Sequence, residues 1–215
     1  MSFADFVASR WQQLLVDSCQ HASMVVQCVV LATIIGVLAG VAVYRSPAGA
    51  AVATALCSAV LTIPSFALFG LLIPVLGLGV APSVTTLVLF ALLPIVRNTI
   101  VGLSTVDKPV VDAARGIGMG RLSVLSRVEL RLAWPTILAG MRISAQMLMG
   151  IAAIAAYAKG PGLGNLIFSG LARLGGANSV NMALAGTLGV MVLALLLDAV
   201  FVLIGRLTIS RGIRG

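Results

Sequence analysis

The residues of this chain that could do chemistry are few and fall in two places. One is a charged stretch from Val106 to Pro135, in which Asp112-Ala113-Ala114 is followed by Gly118 and later by Val128-x-Leu130. The other is a set of three ionisable residues, Arg97, Arg142 and Asp198, standing inside otherwise apolar runs. Neither set is an enzyme centre. The chain has no GxxxxGK[ST] loop to cradle nucleotide phosphates, and no nucleophile and base fall into a catalytic pattern. His21 stands alone, and Cys19, Cys28 and Cys57 lack CxxC or metal-ligand spacing, so no metal site is expected. What the two places can supply is a docking surface and a buried charge pair.

In the charged stretch, Val110, Val111 and Ala114 fall on one helical face, and Gly116, Gly118 and Gly120 make continuation as one rigid helix costly. A short helix and a turn are therefore expected. Leu122, Leu125 and Val128 then recur three apart with Arg121 and Arg127 between them, the pattern of a second amphipathic helix. Small side chains on the first helix would let a partner's backbone approach closely. The bland alternative is a solvated connecting loop.

The elements that position these residues are membrane helices. The chain has 215 residues, 60% hydrophobic and 9% charged, with a mean hydropathy of +1.14, whereas a soluble domain carries about 25% charged residues. Between Ser46 and Val96 there is no charge, far more than the roughly 20 residues that one helix needs to cross a bilayer. The apolar runs are continuous, not alternating, which disfavours a barrel. A net charge of +8 invites a nucleic-acid reading, but the basic residues flank apolar spans without interleaved aromatics and read as topology signals, so no nucleic-acid partner is expected.

The expected fold class is all-α: a polytopic membrane protein with five transmembrane helices, an N-terminal amphipathic helix and a helical loop. Residues 1–20 alternate apolar and polar side chains at three- and four-residue steps, suited to lying at the lipid interface. They lack the basic start and compact apolar core of a cleaved leader. The spans are expected at about 22–44, 48–76, 83–103, 135–157 and 180–207, inside a transmembrane unit over 21–208 whose charged loop covers 104–134. Pro64 should kink the second span. The Lys159–Gly164 stretch should end the fourth, and 165–174 could form a short surface helix. Residues 209–215 form a tail.

Basic residues fix the orientation. Arg45, Lys108, Arg115, Arg121, Arg127, Arg131, Arg206, Arg211 and Arg214 fall on one side, against Arg10, Lys159 and Arg173 on the other. That bias places the charged loop and the C-terminus in the cytoplasm and the N-terminus outside. An odd number of spans agrees with it.

The Asp112-Ala113-Ala114, Gly118, Val128-x-Leu130 pattern resembles the signature loop of ABC importer permeases, where Glu-Ala-Ala, a glycine and a later Ile-x-Leu-Pro mark the helix that docks on the ATPase. Here Asp112 stands for the glutamate, Val128 for the isoleucine and Arg131 for the proline. Three further stretches, Thr62–Gly70, Ala91–Thr99 and Ala113–Met119, are similar to the glycine betaine/carnitine/choline branch of these type I, binding-protein-dependent permeases.

The resemblance implies ATPase coupling through Asp112, Ala113, Ala114, Gly118, Val128 and Leu130. It also implies ATP and Mg bound by a partner ATPase and no cofactor on this chain. The implied partners are ABC ATPase subunits, a second permease subunit, identical or homologous, and an extracytoplasmic solute-binding protein. The setting is the bacterial plasma membrane and its lipid, and the mechanism is ATP-driven alternating access. Methionine and other amino-acid permeases share the loop and the span plan, so an amino-acid importer is the alternative within the class. Outside it stand an ion-coupled secondary transporter using Asp198 and a structural scaffold.

Asp198 precedes Arg206 by eight residues, about 12 Å of helix, and Arg97 and Arg142 lie at a similar depth, so the three should share one layer. Such residues usually face the bundle and pair; the competing reading is independent snorkelling to the interface. Polar candidates for a translocation path are Thr62, Ser65, Asn98, Ser144 and Gln146, with Ser58 beside them. A bond to a neighbouring carbonyl is the expected role of any one of them ahead of a substrate contact. A quaternary ammonium is usually held by an aromatic cage, and this chain is only 5% aromatic, which leaves substrate selection to the binding protein.

Overall fold

The computed structural model describes residues 2–209, and among these all regular structure is helical. The expected tail beyond Ile209, with Arg211 and Arg214, lies outside the described residues. α1 runs Phe3–Val43, α2 Pro47–Thr62, α3 Ser65–Leu76, α4 Val80–Ser104 and α5 Lys108–Gly116. α6 (Arg121–Val124) passes through a π-helical turn (Leu125–Glu129) into α7 (Leu130–Ile154) and a closing 3-10 turn, Ala155–Ala158. α8 (Gly164–Ala172) and α9 (Ser179–Thr208) complete the chain.

The helix expected separately over residues 1–20 is, from Phe3 on, continuous with the first span in α1. Ser2 and Asp5 form a reciprocal capping box that starts the helix at Phe3, and the backbone then runs through residue 20 without a stop. Its break is at Arg10, with φ −124° and ψ 17°. Phe6 is fully buried with Leu163, Leu166 and Met182, so the N-terminal turns pack on α8 and α9. Further along, Met24, Val25, Cys28, Ala32, Gly36 and Gly40 recur at three- and four-residue steps and form the buried face. His21 opens that face, its Nε2 3.1 Å from the carbonyl of Met149.

α4 lies at the centre, packed by α1 on one side and α7 on the other. Close approach depends on glycine. A Cβ at Gly40 would lie 2.6 Å from Thr99 Cγ2, and one at Gly140 would lie 2.7 Å from both the Pro94 carbonyl oxygen and Asn98 Cβ. Such small-residue seams let helices pack where lipid removes the hydrophobic drive for association.

Four helices are long and apolar enough to cross a membrane: α1, α4, the continuous Arg121–Ala158 helix and α9. The expected second span is broken more sharply than a kink. α2 and α3 meet at 94° across Ile63-Pro64, so the count reaches five only if the bent pair crosses as one. Ile63 is extended, with ψ 124°, the conformation that a following proline imposes.

The expected separate second helix of the charged loop is also corrected. Arg121–Ala158 is one helix of 38 residues, about 57 Å long against a hydrocarbon core of about 30 Å. Its first turns therefore stand outside the bilayer as a stalk. Arg131, in place of a proline, keeps a backbone N–H in that helix.

Candidate functional site

α5 and the start of the stalk form a hairpin around a small core. Pro109 sits in the first turn of α5, where its missing N–H costs nothing. Val111, Ala114 and Val124 are buried together, with Val106, Met119 and Val128 packed around them. The opposite side of α5 is open: Asp112 and Ala113 are exposed, Val110 is 43% exposed and Ile117 82%. Leu122, at the start of the stalk, is 81% exposed. Asp112 Oδ1 lies 3.6 Å from Arg115 Nη1, a solvent-exposed pair worth little to stability.

Gly118 has a different job from the one its small size suggests. Its φ is +90°, the Met119 N–H donates to the Ala114 carbonyl and the Gly118 N–H to the Arg115 carbonyl. This is the Schellman pattern, with glycine in the left-handed position that stops the helix. Of the six expected coupling residues, Asp112, Ala113 and Gly118 are thus exposed at the outer side and end of α5. Ala114 and Val128 form the hairpin core. Leu130 packs with the neighbouring Leu103, Ala133 and Ile137 cluster.

Beneath the hairpin lies a link that periodicity did not single out. Glu129, the last residue of the π-helical turn, has a side chain only 7% exposed. Its Oε2 accepts from the Tyr44 hydroxyl at 2.9 Å and from Arg45 Nη2 at 3.2 Å. The Arg45 guanidinium also sits 5.0 Å from the centre of the Tyr44 ring. The signal available in the sequence was the four-residue step from Leu125 to Glu129, which places an acid on the inner helical face. A cavity of about 400 Å³ opens between this link and α5, lined by Tyr44, Arg45, Lys108, Asp112, Arg115 and Glu129 among others.

The charge layer is half as expected. Arg142 on α7 reaches Asp198 on α9 with both arms: Nε to Oδ1 at 2.6 Å and Nη2 to Oδ2 at 2.7 Å. Gln146, one turn further, donates Nε2 to the same Oδ1 at 2.5 Å. Such a fork fixes direction as well as distance. Arg97 does not join it. Asn98 faces Gly140 on α7, and Arg97, one residue earlier and about 100° round the helix, is exposed and in no ion pair among the described residues.

Three of the remaining polar candidates are engaged by backbone carbonyls. The Thr62 hydroxyl donates to the Ala59 carbonyl at 2.7 Å, and Asn98 Nδ2 to the Pro94 carbonyl at 2.8 Å. Ser144, fully buried, donates across to the Ala91 carbonyl of α4 at 2.8 Å. These three bonds hold backbone carbonyls, the last one between two helices. Ser65 opens α3 just past the bend, and Gln146 belongs to the Asp198 fork.

Comparison with known proteins bears on the whole chain. The family model described as binding-protein-dependent transport system inner membrane component matches residues 32–209. The glycine betaine/carnitine/choline transport system permease protein OpuCB of Bacillus subtilis (strain 168) is 34% identical over 210 residues, covering 98% of this chain and 95% of that one. The osmoprotectant import permease protein OsmW of Salmonella typhimurium is 41% identical over 184 residues, 83% of this chain and 84% of that one. Among solved structures, an inward-facing form of the MetNI methionine ABC transporter matches with a TM-score of 0.77 at 22% identity, over 92% of this chain and 96% of that one, a likeness of fold.

Proposed function

Because this chain belongs to the family of binding-protein-dependent transport system inner membrane components, we propose that it is a pore-forming permease of an ABC importer for a compatible solute such as glycine betaine, choline or carnitine. The observation that carries the reading is the open face of α5: Ala113 with the exposed Val110 and Ile117, on a helix stopped by Gly118 and braced from behind by Val111 and Ala114, with Asp112 exposed at the edge toward the cavity beside Arg115. A short exposed helix with small and apolar side chains, standing clear of the bilayer, suits a groove on a partner. ATP and Mg belong to that partner ATPase, since this chain has no loop to hold them. The names of the relatives support the solute class.

Two such permeases, identical or homologous, would enclose the path, with an extracytoplasmic binding protein delivering the solute. Closure of the ATPases pushes α5, the stalk carries the push into the bilayer, and the spans reorient. The basic residues near α5 support a cytoplasmic hairpin and an N-terminus outside. An ion-coupled transporter would need a carboxylate free to exchange its ion, and that of Asp198 is already taken by three donors. An amino-acid importer would share every feature of the hairpin, so uptake assays separate it from the solute reading.

The docking face is tested by a single cysteine at Ile117 in a background without Cys19, Cys28 and Cys57. In the chain alone it should react with a membrane-impermeant maleimide added from the cytoplasmic side. In the complex with the ATPase, labelling should fall by at least about tenfold, as for a side chain in a desolvated interface core. Equal labelling in both forms would remove α5 as the docking helix.

A further inference from the structure

We propose that Glu129 is the positioning residue that carries movement of the α5 hairpin into the first membrane helix, a role that rests on the ABC permease reading above. Three elements meet at its carboxylate. The π-helical turn Leu125–Glu129 continues directly from Val124, which is buried against Val111 and Ala114 of α5. The carboxylate is held by Tyr44 and Arg45, the two residues that follow α1. Tyr44 in turn packs with Leu103 at the end of α4 and with Ala133 and Ile137 of α7. The hairpin core, the stalk and the end of α1 are thus joined at one buried acid.

The chemistry makes this joint stiff. A carboxylate with 7% of its side chain exposed depends on its two donors, because a buried charge left unpaired is strongly disfavoured. When the stalk tilts, Tyr44 and Arg45 therefore follow Glu129, and α1 moves with α7. A cavity of about 400 Å³ separates the joint from Lys108, Asp112 and Arg115, so the push from α5 reaches Glu129 through the Val111, Ala114 and Val124 core and not by direct contact. The π-helical turn adds a residue to the stalk just where the joint sits, a feature that recurs at functional points of helices. Removing the carboxylate should leave α5 able to dock while α1 no longer follows it.

The test uses the complete complex of permease, ATPase and binding protein in proteoliposomes, with radiolabelled glycine betaine, choline and carnitine as probes. The quantity read is solute taken up per ATP hydrolysed. Glu129→Ala should lower that ratio by between about twofold and thirtyfold, the range expected for residues that couple distant sites, while ATPase copurification is kept. Glu129→Gln, which still offers an oxygen to Tyr44 and Arg45, should lower it measurably but less. The double variant Tyr44→Phe/Arg45→Met should match Glu129→Ala, and adding Glu129→Ala to it should lower the ratio no further.

A wild-type ratio in Glu129→Ala would overturn the proposal, as would uptake and hydrolysis falling together with their ratio unchanged. Should Glu129→Ala fail to reach the membrane, Glu129→Gln decides: a lowered ratio supports the joint and a wild-type ratio overturns it. A wild-type complex without ATP-dependent uptake of any probe would overturn the compatible-solute reading instead, since the joint is measured only against working transport.

Discussion

Ala113→Trp should insert and fold normally yet lose its ATPase. Ala113 is exposed on the outer side of α5, between Asp112 and the buried Ala114, so an indole there meets no atom of this chain's core. It meets the partner instead. Overfilling a close-packed contact costs about 1–3 kcal/mol, and a helix held in a groove by a few anchors loses about 2 kcal/mol or more when the centre is blocked. ATPase binding should weaken about thirtyfold or more, at 1.4 kcal/mol per factor of ten, and ATP-driven uptake should fall with it. Quantitative copurification and an uptake assay check both, and full ATP-driven transport by this variant would remove α5 as the coupling element. Ala114→Trp is the contrasting variant, because it should also break the core of Val111, Ala114 and Val124 and lower the amount of folded chain.

Asp198→Asn should cut transport several-fold without preventing assembly. The carboxylate receives both arms of Arg142 and the Gln146 amide. An asparagine keeps one acceptor and turns an NH2 group toward donors that it cannot accept. The side chains are 43% and 26% exposed in the single chain, so the loss in stability should be smaller than for a fully enclosed pair. The discriminating measurement is a double-mutant cycle on uptake. Arg142→Met combined with Asp198→Asn should be less damaged than the two single losses added, whereas Arg97→Met and Asp198→Asn should simply add. Additivity in the first pair would reject a functional Arg142–Asp198 link. Coupling in the second would mean that Arg97 joins the layer during transport.

The membrane class and the α5 hairpin were legible because both depend on local pattern. A long charge-free run can only be resolved as spans, and the Ala114/Gly118 spacing sets the length of α5 through the rule that a left-handed residue stops a helix. The Arg142–Asp198 pair was legible as chemistry, since an acid in an apolar run needs a partner. Which arginine it chose was not, because that turns on the rotation of α4, set by Asn98 seating on Gly140. Polarity near the N-terminus suggested a break at residue 20, yet His21 is absorbed by a bond to Met149 from a distant helix, and Phe6 finds its cover on α8 and α9. The 94° turn at Pro64 exceeds what a proline kink implies, and Glu129 acquires its role only when α1 ends beside the stalk. Apart from the turn at Pro64, which is local, these features are tertiary, and no short window of sequence contains both halves of them.

The central claim is that this chain moves a solute by coupling to an ATPase that it does not itself contain. It is tested most directly in proteoliposomes holding the chain, its second permease, the ATPase and the binding protein, loaded with ATP and given radiolabelled glycine betaine, choline or carnitine outside. The account predicts uptake that requires ATP, the ATPase and the binding protein together and is unaffected when ion gradients are collapsed. Uptake that persists without the ATPase and stops when the ion gradients are collapsed would contradict it.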